Sequence, residues 1–312
     1  MDTILVTGAT GFIGSHLISS LIELGFDVRA YSRQTFRPGT TAITCQTKWI
    51  QGELDDWHRL DAACNGVDAV VHCAGIADSD ANELETLLRS NSDGTKNVFL
   101  AAANSQVKKF LYMSTVHASA PAASYYSQSK SEAELFLCSD EAVKYPIQRF
   151  ILRLGNVYGP GMKGSICFLI RYAERGWLPS LSRLNTKLSL VSIKDLCRSI
   201  VLLLGDSYPK QTYKFSVTDG HAYTFERLEA VIYHELGYRK PNWALPRAAF
   251  HAVAFCAQFA DLSKIKKNQL GSKLHHMLSD GPRSKNDFPI LKLANMATLE
   301  SQISEIIASM ES

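Results

Sequence analysis

Long apolar runs, paired cysteines and clustered charge are all missing from this chain. Its least polar stretch, Ala248 to Ala260, is too short to span a bilayer, and no charged leader followed by an apolar run precedes the first strand. The seven cysteines (45, 64, 73, 138, 167, 197 and 256) are an odd, widely spaced set without a C-x-x-C pair. That spacing argues against a zinc site or a disulfide framework and fits free thiols in a reducing compartment, so a cytoplasmic location and no metal are expected. The formal charge is only +3, and lysines and arginines are scattered rather than striped, which sets nucleic acid aside as a partner. Internal repeats and low-complexity tracts are absent too. What remains is an ordinary globular balance, 46% apolar and 20% charged over 312 residues, enough for one large α/β domain or a core with a smaller lobe.

Strand and helix signals alternate along the first two thirds, the pattern of a doubly wound parallel sheet. Strands are expected at Ile4–Thr7, Val28–Tyr31, Trp49–Gln51, Ala69–Cys73, Lys109–Met113, Gln148–Leu154 and Tyr213–Val217, with Ser189–Ser192 extended. Helices are expected at 14–24, 56–65, 83–103, 126–139, 165–174 and 194–204. Gly159-Pro160-Gly161 breaks the rhythm, and the last ninety residues carry little of it. The expected fold is therefore α/β: a Rossmann-type sheet over 1–160, with 187–218 returning to it, and a smaller, mainly helical substrate lobe from 161–186 and 219–312.

Two strings carry the chemistry. Gly8-Ala9-Thr10-Gly11-Phe12-Ile13-Gly14 follows the β-favouring Ile4-Leu5-Val6 and leads into a helical pattern, so its glycines allow a tight turn that seats a pyrophosphate on a helix N-terminus. Tyr126-Ser127-Gln128-Ser129-Lys130 places an ammonium one helical turn beyond a phenol, on the same side. A free tyrosine titrates near pH 10; a neighbouring cation favours the phenolate and makes Tyr126 a usable general acid and base. Tyr125 has only Ser129 at the equivalent spacing. Upstream, Ser114 and Thr115 bring hydroxyls to the carboxyl end of a strand, where open α/β sheets bind ligands, although either can also serve as a cap.

Together with Asp68 to Gly75, Asn91 to Asn97, Leu152 to Pro160 and Leu190 to Asp195, these strings resemble the extended short-chain dehydrogenase/reductase family, which includes sugar-nucleotide epimerases, dehydratases and ketoreductases. The resemblance implies catalysis by Thr115, Tyr126 and Lys130. It also implies a dinucleotide held by Gly8, Thr10, Gly11, Phe12, Ile13 and Gly14, flanked by Glu53 and Leu54 at the adenine and by Ala74 and Gly75 along the ribose. Lys130 would also bind the nicotinamide ribose, and Asn156 would lie near the nicotinamide and the substrate. Asn91 is either part of this pattern or a helix cap. A homodimer through the helices 83–103 and 126–139 is implied as well.

The second strand ends in Tyr31-Ser32-Arg33 and lacks the carboxylate that normally selects NAD. Arg33, with Arg37 assisting, can pair with a ribose phosphate, so NADP(H) is favoured over NAD(H). The segment from Gly161 to Ser192 is similar to the bacterial polysaccharide branch that reduces or epimerises C4 of a UDP-sugar, with Arg183 and Lys187 as candidate diphosphate contacts. Lys187 stands where that branch usually has arginine. Val116 and His117 follow Thr115 in place of the acid pair of 4,6-dehydratases, so dehydration is not expected. The leading expectation is an NADP(H)-dependent 4-ketoreductase of a nucleotide-linked sugar. Alternatives are an NAD-dependent UDP-sugar 4-epimerase, a reductase or dehydrogenase of a sterol- or flavonoid-type alcohol, and a non-catalytic dinucleotide sensor.

Overall fold

The computed structural model describes residues 2–34, 47–76, 83–162, 164–176, 180–181, 187–243 and 296–311. β1 (Thr3–Thr7) buries Ile4, Leu5 and Val6 almost completely, as a strand covered on both faces must. α1 (Phe12–Glu23) follows, then β2 (Asp27–Ser32), β3 (Thr47–Gln51) and α2 (Trp57–Cys64), whose first turn is capped by the Asp56 carboxylate accepting from Arg59 N. After β4 (Ala69–His72) come α3 (Leu84–Leu87), a π-helical turn at Leu88–Asp93 and α4 (Gly94–Asn104). β5 (Lys109–Thr115), α5 (Tyr125–Leu137) and β6 (Gln148–Leu154) complete this stretch.

Further along lie β7 (Asn156–Tyr158), α6 (Ser165–Glu174), β8 (Lys187–Ser192), α7 (Ile193–Gly205) and β9 (Thr212–Val217). β10 (Ala222–Thr224), α8 (Phe225–Glu235) and α9 (Leu299–Glu311) are the last described elements.

Seven strands form one parallel sheet in the order β3-β2-β1-β4-β5-β6-β9. The order reverses between β1 and β4, which puts a crevice at the carboxyl ends of those strands. Leu60, Ala63, Val98, Phe99, Phe110, Tyr112, Ala133 and Leu137 belong to one buried core that joins α2, α4, α5 and the sheet. Lys109, at the start of β5, donates to the carbonyls of Leu203, Leu204 and Asp206 and so neutralises the negative end of α7.

The chain divides into two compact units. One takes the described residues of Met1–Leu154 and Ile193–Val217; the other takes those of Gly155–Ser192, Thr218–Lys285 and Asn295–Ser312. Within the second, β8 pairs with β7 in parallel and with β10 in antiparallel fashion, so Lys187–Ser192 sits in this small sheet. The Tyr158 hydroxyl donates to Ala297 O at 2.8 Å, and Ser192 Oγ donates to Gln302 Oε1 at 3.0 Å, pinning α9 to that sheet.

Three expectations change. Residues 187–192, expected to return to the large sheet, pair instead with β7 and β10 in the small one. The helix expected over 83–103 contains the π-helical turn, because one extra residue per turn lets Asn91 face inward. β5 continues to Thr115 rather than ending at Met113, since Ser114 and Thr115 pair in register with Arg153 and Leu154 of β6.

Candidate active site

The first part of the site is backbone. After β1 the chain turns at Gly8, with φ +66°, and Gly11 N donates to Gly8 O at 2.9 Å. A Cβ on Gly8 would lie 2.6 Å from Ala74 N, and one on Gly14 would collide with Gly8 O. The turn is therefore wedged against the end of β4 with room for hydrogen only. α1 opens at Gly11 without a side-chain cap, which leaves the N–H groups of its first turn, at Phe12, Ile13 and Gly14, facing outward as anion donors.

Thr10 Oγ1 meets Ser32 Oγ at 3.1 Å, tying the turn to the end of β2. Arg33 follows, exposed, and its carbonyl accepts from Gln51 Nε2. Glu53 O accepts from the Tyr31 hydroxyl at 2.8 Å and Leu54 O from Asn97 Nδ2 at 2.9 Å, so both are fixed by their carbonyls beside the β2 end. A glycine cradle closed to any Cβ, an uncapped helix start and hydroxyls at the end of β2 fit the diphosphate and ribose of a dinucleotide. On β2, Arg29 Nη1 donates to Ala63 O and Asn65 O at the C-terminus of α2.

A buried chain of hydrogen bonds crosses behind this cradle. Thr95 Oγ1 donates to Asn91 O at 2.6 Å, so it must accept from His72 Nε2 at 3.1 Å; His72 Nδ1 then accepts from Thr7 Oγ1 at 2.7 Å. These bonds assign the Nε2–H tautomer. Burial, with a smaller contribution from the Lys130 charge, lowers the imidazole pKa to about 3, so His72 is a neutral strut. Asn91 uses its whole amide: Oδ1 accepts from Ile76 N at 2.8 Å, and Nδ2 donates to Ile76 O and Ser129 Oγ, both at 3.0 Å. It is a clamp within the π-helical turn rather than a cap. Ser129 Oγ passes the connection to Tyr126 O at 2.9 Å.

α5 carries Tyr126 and Lys130. Its N-cap is Ser124, whose Oγ accepts from Ser127 N at 3.0 Å, so the turn bearing Tyr126 is the anchored first turn of the helix. Tyr125 is 54% exposed, whereas Tyr126 is half-buried. Lys130 is buried, donates from Nζ to Met113 O at 2.9 Å and lies 4.9 Å from the centroid of the Tyr112 ring. A Cβ on Gly75 would sit 3.3 Å from Lys130 Nζ, so the Ala74-Gly75 strand end and the amine are neighbours. Burial pulls the Lys130 ammonium down to about 8, against the smaller opposing effects of Cys73 and Glu134.

Thr115 Oγ1 accepts from His117 N at 3.3 Å, a bond that leaves its own proton available to donate. Ser114 donates to Glu134 Oε1 at 2.6 Å and is thereby committed to the interior. Asn156, on β7, and Lys187, on β8, are exposed members of the second unit. Arg37, Arg183, Cys45, Cys256 and the apolar stretch 248–260 lie outside the described residues. His72, Tyr112 and Glu134 are not among the expected site residues. Glu134 carries a signal as the next member of the 126/130 spacing, and His72 lies within the Asp68 to Gly75 string. The five described cysteines are free thiols, and among the described residues no helix is long and apolar enough to cross a membrane.

Residues 4–215 match the family described as NAD dependent epimerase/dehydratase. The chain is 29% identical over 269 residues to the UDP-glucose 4-epimerase of Vibrio cholerae, covering 78% of each. Among solved structures it is similar to a UDP-glucose 4-epimerase of Thermotoga maritima with UDP-glucose (TM-score 0.75, 20% identity, 99% of this chain and 98% of that one). It is also similar to the Bordetella bronchiseptica enzyme WbmH in complex with NAD+ (TM-score 0.74, 19% identity, 100% and 99%). With its Rossmann-type sheet and a match over more than half its length, the chain belongs to the NAD dependent epimerase/dehydratase family.

Proposed function

We propose that this enzyme moves a hydride from and to C4 of a nucleotide-linked sugar, as a UDP-sugar 4-epimerase. The observation that carries the reading is α5, where Tyr126 and a buried Lys130 share one side of an anchored helix beside a glycine cradle suited to a dinucleotide. A bound nicotinamide supplies the hydride acceptor and donor. The protein supplies the proton chemistry: Tyr126 takes the proton of the sugar hydroxyl and returns it, Lys130 holds positive charge beside the phenol, and Thr115 donates to the reacting oxygen. The first unit holds the dinucleotide through Gly8 to Gly14, Ser32, Glu53, Leu54, Ala74 and Gly75. The second takes the sugar nucleotide, with Asn156, Arg183 and Lys187 among its contacts. The free thiols suit the cytoplasm, and the assembly is a homodimer through α3, α4 and α5, which light scattering measures.

The name of the Vibrio cholerae relative and the UDP-glucose in the Thermotoga structure support epimerisation over the expected net reduction. The direct test incubates the protein and NAD with UDP-glucose, UDP-galactose and their N-acetyl forms. Interconversion without net cofactor change supports the reading. No interconversion, with NADPH consumed in proportion to a 4-keto sugar nucleotide, overturns it in favour of an NADP(H)-dependent 4-ketoreductase. That second reading rests on Arg33, an exposed guanidinium at a β2 end with no carboxylate. If it holds, NADPH binds more tightly than NADH and Arg33→Ala removes the difference. Dinucleotide binding with turnover of neither class points to a sensor, and turnover of an apolar alcohol points to the sterol-type alternative.

A further inference from the structure

Tyr126, Lys130 and Glu134 follow one another at four-residue intervals, so they form a single stripe along α5. The third member is a buried carboxylate engaged by three strands. Glu134 Oε1 accepts from Ser114 Oγ at 2.6 Å and Arg153 Nε at 2.9 Å; Oε2 accepts from Arg153 Nη2 at 2.7 Å and pairs with Lys214 Nζ at 2.9 Å. Ser114 of β5 and Arg153 of β6 are register partners, and Lys214 of β9 lies two residues before Ser216, the partner of Arg153. The three donors therefore stand on one face of the sheet. Burial alone would raise the Glu134 carboxyl. The hydrogen bonds from Arg153, Ser114 and Lys214, with the Lys214 charge, outweigh it and hold the group below its ordinary value.

The network binds two places where the proposed chemistry needs accuracy. Ser114 immediately precedes Thr115, and Glu134 lies one turn beyond Lys130 and two beyond Tyr126 on a rigid helix. A helix can slide or rotate over a sheet when only apolar side chains hold it, whereas a carboxylate gripped from three strands has one position. We propose that Glu134 is a positioning residue: it locks α5 to the ends of β5, β6 and β9, so that Thr115 on the strand and Tyr126 on the helix keep a fixed separation. The role rests on the hydride-transfer reading above, and it predicts that loosening the lock lowers turnover while leaving ligand affinity in place, because small displacements of reacting groups cost rate steeply.

Ser114→Ala removes one hydrogen bond, and Glu134→Gln keeps the shape while losing the charge. Each is made in the full chain with Tyr126 intact and compared with the unmutated protein by UDP-sugar kinetics, NAD titration and hydrogen exchange. The inference expects Glu134→Gln to lower kcat 10-fold or more, with KM and NAD affinity within 3-fold. Ser114→Ala lowers kcat several-fold alone and adds nothing to Glu134→Gln, and exchange rises in 112–118 and 124–130. Unchanged kcat and unchanged exchange in these segments, in folded Ser114→Ala and Glu134→Gln, would overturn it. So would losses confined to melting temperature. If the unmutated chain turns over no UDP-sugar, the functional reading fails separately, and exchange at 124–130 still decides whether Glu134 locks the helix. Should Glu134→Gln not fold, the milder Ser114→Ala decides alone.

Discussion

Lys130 is a charge held where charge is expensive. Its amine is nearly sealed from water and donates to the Met113 carbonyl, and burial lowers its pKa to about 8 from the ordinary lysine value of about 10.5. Near neutral pH it is still mostly protonated and can favour the Tyr126 phenolate. The same shift has a consequence for stability. The folded pKa lies below the unfolded one, so between pH 8 and 10.5 the unfolded chain binds the extra proton, and stability from this group grows as pH rises through that window. The expected gain is about 3 kcal/mol, from 1.36 kcal/mol per pKa unit. Urea midpoints of the cofactor-free protein at pH 7.5 and 10.5 measure it. Lys130→Met should flatten the difference, and an identical pH response in that variant would count against the buried ammonium. His72 shows the opposite use of burial: neutral, fixed in one tautomer by Thr7 and Thr95, it bridges β1 and α4 without taking part in proton traffic.

At the scale of elements, the Gly-rich turn and α5 each depend on one local device. For the turn it is the absence of a side chain at Gly14, where a methyl would meet Gly8 O. Gly14→Ala is expected to cost about 1–3 kcal/mol through overpacking. It should also weaken dinucleotide binding at least 10-fold, because the helix start must back away from the turn; calorimetric titration and a thermal melt measure the two effects. For α5 the device is Ser124. Ser124→Ala removes the cap next to Tyr126 and is expected to lower stability by about 1 kcal/mol. A melting temperature unmoved by that change would mean the first turn is held otherwise.

The strands of the main sheet were legible because buried parallel strands read as unbroken apolar runs, as at Ile4-Leu5-Val6 and Ala69-Val70-Val71. The π-helical turn was not, since Asn91 faces Ile76 and Ser129 only through tertiary packing, and periodicity across 83–103 does not record an inserted residue. The reach of β5 to Thr115 is not legible in sequence for a related reason: hydroxyl residues at a strand end look like caps until the neighbouring strand supplies the register. Ser114 and Thr115 are adjacent in sequence with equal chemistry, and only Glu134 separates them, by engaging Ser114.

For the whole molecule, the parallel sheet and its topological switch form a crevice suited to a dinucleotide, while in the proposed reading the second unit, with Asn156 on β7 and Lys187 on β8, selects the sugar nucleotide. The glycine turn and the Tyr126/Lys130 pair were therefore readable from spacing, whereas Arg183 and Lys187 were named from resemblance alone. Family membership fixes the class of chemistry. The sugar and the balance between epimerisation and reduction follow from side chains that no spacing rule identifies. Removing one oxygen atom tests the central claim most directly. Proton NMR of UDP-galactose incubated with NAD and either the unmutated enzyme or Tyr126→Phe compares the rates at which UDP-glucose appears. The variant should retain NAD affinity and lose about 10²–10⁴-fold in rate, the range of a missing general acid and base. An undiminished rate in Tyr126→Phe would contradict the assignment of Tyr126 as the group that moves the proton.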